Sequence, residues 1–266
     1  MHVRDGAAAV ARRCAMAFHD LRAFLDRLEA GGRLRRVTQP VDPNLESTAF
    51  CLRTQRAQGP ALLFENPVGS SHALLGNLFG HRSRVEAALS GRPLSSLREL
   101  GELLAAVKEP RWPGSLRQAL AAWPEFAQLA HVAPRRVTDA AFREDVTSGA
   151  DVDVNRLPIQ RCWPGDVGPL ITIAMVVTRG TRRERQNVAI YRQQVIARNR
   201  VIMRWLPHRG GALDYADWRS THPDRPFPVL VAIGADPATL LAAVAPVPDT
   251  LSEYEFAGLL RGERTR

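Results

Sequence analysis

A chain of 266 residues is long enough to bury one large core or two ordinary ones, and its 45% hydrophobic and 24% charged residues are those of a globular protein. The net charge of +9 raises a nucleic-acid reading, but Lys108 is the only lysine and the arginines are scattered, so a solvated basic surface with no nucleic-acid partner is expected. No apolar run reaches the roughly 20 residues of a membrane helix, because Phe227 to Val247 is interrupted by Asp236, Pro237 and Pro246.

The first fifteen residues carry arginines without the apolar centre of a signal peptide, and are expected to form a disordered leader ahead of Met16. Leu21, Phe24, Leu25 and Leu28 then repeat at helical spacing up to Gly31-Gly32. A strand is expected over Leu34 to Val37, a helix from Pro43 through Leu52, and a buried strand over Ala61 to Phe64. His72 to Leu75 reads as another strand, with helices over Val85 to Leu89 and Leu97 to Val107. Pro110, Pro113, Pro124 and Pro134 break the next stretch into short helices crossing between domains. Beyond it the period becomes strand-like: Leu170 to Thr178, Val188 to Ile196, Val201 to Leu206 and Val229 to Ile233. A last helix is expected from about Ser252 to Gly262.

Three cysteines, Cys14, Cys51 and Cys162, lie far apart with no CxxC pair, which fits a reducing, cytoplasmic setting. The seven histidines form no HxH or HExxH cluster. Chemistry concentrates instead between Gln186 and Tyr215, where Asn187, Arg192, Arg204, His208 and Arg209 interrupt apolar strands and the loop after them. Such side chains in strands are costly unless paired, surface-seeking or functional. Arg209-Gly210-Gly211 opens a short helix whose N-terminus can receive a phosphate. Near the last helix, Thr250 with Glu253 and Ser252 with Glu255 each fit a capping box, which leaves one glutamate as a candidate oxygen ligand for a hard metal.

These segments carry a family resemblance. Asn187 to Arg192 is similar to an N-x-G-I-Y-R strand, with Ala189 in place of glycine. Met203-Arg204-Trp205-Leu206 with His208-Arg209-Gly210-Gly211, Pro246 to Thr250 with Ser252-Glu253-Tyr254, and Pro60 to Pro67 match further motifs in order. From about Met16 onward the chain resembles the N-terminal half of UbiD-type decarboxylases, closest to the branch acting on 3-polyprenyl-4-hydroxybenzoate in ubiquinone biosynthesis.

The resemblance implies an α+β fold: an N-terminal α/β domain over residues 16–130, then an incomplete split β-barrel that binds flavin over 131–266. It implies prenylated FMN as cofactor, with manganese, and potassium as a further candidate ion. Ile190, Tyr191, Arg192, Arg204, Trp205, Leu206, Arg209 and Gly210 match flavin-contacting positions, and Asn187, His208 and Glu253 match metal ligands. Arg192 matches the arginine of the catalytic Glu-Arg-Glu network, where it can hold the substrate carboxylate. The implied partners are a polyprenylated aromatic acid, other copies of the full-length chain, and the membrane surface, inner face, where a polyprenyl tail would lie. In the family the catalytic acids lie beyond the part matched here, so no acid of this chain takes either role and the chain alone is expected to be inactive; the alternative reading is a non-catalytic flavin- or metal-binding remnant that contributes to an assembly. One conflict remains: in a flat strand Asn187 and Arg192 point to opposite faces, so a bulge or a turn must intervene.

Overall fold

Helix α1 (Leu21–Ala30) begins where the Asp20 carboxylate accepts a hydrogen bond from the Ala23 N–H at 2.7 Å, and it turns Phe24 and Leu28 inward. The computed structural model describes residues 18–108, 133–138, 140–247 and 251–266. The expected leader, most of the proline-interrupted stretch, and Pro248, Asp249 and Thr250 lie outside the described residues.

Strand β1 (Leu34–Val37) pairs in parallel with β2 (Ala61–Phe64), and β2 pairs antiparallel with β3 (Leu74–Gly76). Between them α2 (Glu46–Arg56) starts three residues later than Pro43 suggested, because Leu45 takes a positive φ of 72° and holds off the first helical turn. Val41, Leu62 and Phe64 form the buried cluster beneath this sheet, with Val37, Cys51 and Leu74 packed against it. Arg84, only 2% exposed, donates to the carbonyls of Leu78, Gly59 and Asn77 at 2.8–2.9 Å and closes the loop after β3. It sits in α3 (Arg82–Ala88), which precedes α4 (Ser96–Lys108).

The later strands are β4 (Leu170–Ile171), β5 (Met175–Thr178), β6 (Asn187–Ile190), β7 (Gln193–Ala197), β8 (Arg200–Met203) and β9 (Leu230–Ala232). They make two antiparallel sheets, in the orders β4-β7-β8 and β6-β5-β9. The two long strands expected over Leu170 to Thr178 and Val188 to Ile196 are therefore each broken in two. The chain leaves one sheet and joins the other at 172–174, and again at Tyr191-Arg192. The break at 172–174 falls in a largely apolar stretch and the one at 191–192 in Tyr191-Arg192-Gln193-Gln194, and neither pattern says which sheet the next strand joins. β5 is the central strand of its sheet and buried along its whole length, which accounts for its run of apolar and β-branched residues.

Helix α5 (Gly210–Thr221) packs on β5 and β6. Two further helices follow, α6 (Pro237–Ala242) and α7 (Glu253–Arg261). The sequence reading passed over α6, although Asp236 caps it and Pro237 opens it. The fold is thus α+β, with three small sheets and no closed barrel among the described residues.

The chain groups into two compact units. One combines Asp20–Arg84 with Val137–Ala235, joined by bonds such as Leu45 N–H to Arg161 carbonyl and Gln160 Nε2 to Ser47 Oγ. The other combines Val85–Arg136 with Asp236–Arg266 around Leu89, Leu100, Ala242, Ala257, Leu259 and Leu260. In this second unit buried Arg261 pairs with Asp236 at 2.5 Å and donates to Thr239 Oγ1 at 3.1 Å.

Candidate functional site: a helix N-terminus against two sheets

The register of β5 and β6 sets Asn187 directly across from Thr178. The Asn187 amide donates through Nδ2 to Thr178 Oγ1 at 3.1 Å, and that hydroxyl donates to Asp214 Oδ2 at 2.7 Å. Asp214 is fully buried in α5, and Arg183 Nη1 lies 3.8 Å from its other oxygen. On the far side of the Asn187 amide, Oδ1 faces Gly210, where a Cβ would come within 1.9 Å of it. A larger residue at 210 cannot coexist with this placement of Asn187.

Arg209 is the N-cap of α5 in extended conformation, and no side chain caps the helix there. Tyr191 supplies one partner: its hydroxyl accepts from the Gly211 N–H at 3.2 Å. Gly211 is buried beneath Trp205 and Tyr191, whose rings would lie 2.9 and 3.3 Å from an added Cβ. Trp205 contacts Tyr191, Tyr215 and Phe227 at centroid separations of 6.0–6.1 Å. Its indole Nε1 is buried and has no hydrogen-bond partner among the described residues.

Four exposed cationic or ionisable side chains adjoin these residues in the chain: Arg192 follows Tyr191, Arg204 precedes Trp205, and His208 and Arg209 stand just ahead of the helix. None makes a hydrogen bond or ion pair with a described residue. Arg192 and Arg204 are not inside strands, as their sequence context suggested. Arg192 lies at the hand-over between β6 and β7, and Arg204 follows the end of β8. The hand-over also removes the parity conflict, since alternation does not carry from Asn187 across a break in the strand to Arg192. Ile190 closes β6 half-buried, Leu206 is exposed in the loop before α5, and Ala189 is an ordinary strand residue paired with Val176.

Glu253 belongs to the other compact unit, in the first turn of α7. The capping box there is made by Ser252 and Glu255, with bonds of 3.2 and 2.7 Å, so capping does not account for Glu253. Burial and the charge of Glu253 push the neighbouring Tyr254 phenol up from its ordinary range. Among the described residues no group of three or more His, Cys, Asp or Glu gathers in one place. A cavity of about 460 Å³, lined by Leu89, Leu241, Pro246, Phe256 and other apolar residues, lies in the helical unit and offers no polar side chain to orient a charged ligand.

The residues present fit a phosphorylated flavin. An uncapped helix start with glycines, free arginines beside it, and a buried indole N–H lacking an acceptor are the donors such a ligand requires. They also fit a hard cation in part, through the neutral oxygen of Asn187 beside the same helix end. The sequence reading named Asn187, Tyr191, Trp205 and Gly210 but missed Thr178 and Asp214. A signal existed: positions 210, 211, 214 and 218 share one face of α5, so a carboxylate at 214 points with the glycines and not toward water.

Comparison with known proteins identifies the family. Residues 25–104 match the 3-octaprenyl-4-hydroxybenzoate carboxy-lyase N-terminal domain, and residues 135–266 match the Rift-related domain of the same carboxy-lyase. An evolved dimeric form of the UbiD-class enzyme HmfF from Pelotomaculum thermopropionicum, solved with prFMN, superposes with a TM-score of 0.73 at 29% identity over 93% of this chain and 51% of that one. The same enzyme solved with FMN gives 0.72 at 30% identity over 92% and 49%. Vanillic acid decarboxylase from Sedimentibacter hydroxybenzoicus, in closed form, gives 0.76 at 27% identity over 93% and 50%. The chain spans about half the length of these solved relatives. With both domain models matched in order over most of its length, this chain belongs to the UbiD family.

Proposed function

We propose that this chain carries the flavin- and metal-binding part of a prenylated-FMN decarboxylase acting on an aromatic acid. The observation that carries it is the gathering of Asn187, Tyr191, Trp205 and the α5 N-terminus, rimmed by the unpaired Arg192, Arg204 and Arg209. Structures of one relative, HmfF, with prFMN and with FMN support the choice of ligand.

In this reading the N–H groups of α5 and the side chains of Arg204 and Arg209 hold the flavin phosphate. Asn187 and His208 supply oxygen and nitrogen donors to a metal ion, manganese for preference and potassium as a second candidate, and Glu253 is proposed as an oxygen ligand from its match to the family motif alone. Prenylated FMN, when bound, supplies the electron sink for loss of carbon dioxide. Arg192, free of any carboxylate among the described residues, holds and orients the acid group of the substrate. Trp205 and Tyr191 exclude water from the helix end.

The finer reading is a 3-polyprenyl-4-hydroxybenzoate substrate in ubiquinone biosynthesis, supported by the two matching domain models. Vanillate is the competing substrate class, from the Sedimentibacter relative. The proposed division into 16–130 and 131–266 puts its boundary within residues 105–134, between the two matched segments. Homo-oligomer formation has the support of a dimeric relative. No described helix is long and apolar enough to cross a membrane; peripheral contact with a membrane surface is proposed from the polyprenyl tail of the proposed substrate alone.

The test is reconstitution with prenylated FMN and Mn²⁺, reading flavin retention by absorbance and carbon dioxide release from polyprenylated 4-hydroxybenzoate, vanillate and 3,4-dihydroxybenzoate. Retained flavin that is lost in Arg204→Ala, and metal content that falls in Glu253→Gln without loss of helix, are the expected results. A protein that retains no flavin under these conditions overturns the reading.

A further inference from the structure

We infer that Asp214, acting through Thr178, is a positioning residue that locks the Asn187 amide with its oxygen turned toward the α5 N-terminus. The inference rests on the proposed role of Asn187 as a metal ligand, and assigns a task to two residues that touch neither metal nor flavin in that reading.

The orientation follows from counting protons. A threonine hydroxyl has one hydrogen and can accept as well as donate, whereas a carboxylate only accepts. With Thr178 Oγ1 2.7 Å from Asp214 Oδ2, the hydroxyl hydrogen is committed to Asp214. Thr178 can then only accept from the Asn187 side, so the group facing it at 3.1 Å must be the NH₂. The carbonyl Oδ1 is left on the opposite side, beside Gly210. An asparagine amide is otherwise free to flip end for end, and the flipped form would present a donor, not a ligand oxygen, to a cation. The chain of bonds runs from α5 through β5 to β6, so the helix that offers its N-terminus also sets the amide beside it.

Burial gives the arrangement its force. Asp214 is 0% exposed and Thr178 2% exposed, and neither helix nor strand geometry requires a polar residue at either position. A buried carboxylate whose second oxygen has only Arg183 at 3.8 Å is costly to keep unless its orientation is used. Outer-sphere partners of metal ligands commonly change metal affinity by about 10- to 100-fold when removed.

The experiment titrates Mn²⁺ into FMN-loaded protein, with free Mn²⁺ read by electron paramagnetic resonance, and measures hydrogen exchange of the Asn187 side-chain amide by ¹⁵N NMR. Thr178→Val is expected to weaken Mn²⁺ binding about 10- to 100-fold and to speed amide exchange, while Thr178→Ser keeps both near the wild-type values. Asp214→Asn is expected to weaken Mn²⁺ binding too, because its amide can donate to Thr178 and release the hydroxyl hydrogen toward Asn187. Should Thr178→Val not fold, Asp214→Asn and Thr178→Ser carry the test. Wild-type Mn²⁺ affinity in a folded Thr178→Val or Asp214→Asn, alongside loss of binding in Asn187→Ala, overturns the relay and leaves the metal assignment standing. Wild-type affinity in Asn187→Ala removes the metal assignment, and the relay's purpose with it.

Discussion

The Oδ1 of Asn187 occupies the volume that a side chain on Gly210 would need, 1.9 Å from where its Cβ would stand. The first residue of β6 and the first residue of α5 therefore constrain each other, and the metal and phosphate functions proposed for them cannot be altered separately.

Gly210→Ala tests that coupling. The clash is with the end of a side chain, so the Asn187 amide moves and the fold survives, at about 1–3 kcal/mol. Thermal denaturation should show this modest loss, and flavin and Mn²⁺ occupancy should fall together. Occupancy of both at wild-type levels would show that the amide can move without consequence.

Arg204 is exposed and without a partner among the described residues, so Arg204→Ala should leave stability within about 0.5 kcal/mol of wild type. Flavin affinity should drop by the worth of a charged hydrogen bond, about 1.5–3 kcal/mol. Fluorescence titration with FMN measures the second quantity and urea denaturation the first.

Arg261→Ala breaks a buried ion pair with Asp236. Removing one member of such a pair costs about 3–5 kcal/mol. The lower end is expected, because Asp236 still caps α6 through the Ala238 and Thr239 N–H groups at 3.0 and 3.1 Å. Urea denaturation of the single variant and of Arg261→Ala with Asp236→Asn should show less than additive loss.

Burial, with a smaller contribution from Cys162, pushes the Cys51 thiol up from about 9 to about 11. The folded protein then holds its proton more tightly than the unfolded chain. The associated stability is complete below about pH 9 and lost as pH rises toward about 11. Denaturation midpoints measured from pH 7 to 11 should fall over that window, and less so in Cys51→Ala. At pH 8 iodoacetamide should modify Cys51 in urea much faster than in buffer.

Much of the fold could be read from local chemistry. The strand Ala61 to Phe64 stands between Gly59-Pro60 and Asn66-Pro67, and the structure keeps those limits. The last helix runs from a capping box at Ser252 to a left-handed Gly262 with φ of 76°, both written in the sequence. What could not be read is long-range. Nothing local to Tyr191-Arg192 says that the strands on either side join different sheets: Val188 is buried before the break and Gln193 after it, and the pairing partners that decide the sheet are distant in sequence. The Asp214–Thr178–Asn187 chain links positions far apart in sequence, and only the register of β5 with β6 and the packing of α5 bring them together. The family motifs located Asn187 and the glycines but not the residues that orient them.

The hand-over at Tyr191-Arg192 makes the site a seam. Asn187 rides with β5 and β9, Arg204 follows β8, and only two residues of chain join β6 to β7 at that point. A flavin gripped by both sheets would act as a rivet between two pieces that could otherwise shear. Ligand at 100 times its dissociation constant adds about 2.7 kcal/mol to the folded state, and here that increment would fall on the joint and not be spread through either core. Trypsin should cut the ligand-free protein after Arg192, an exposed arginine at the joint, and cut the loaded protein there far more slowly.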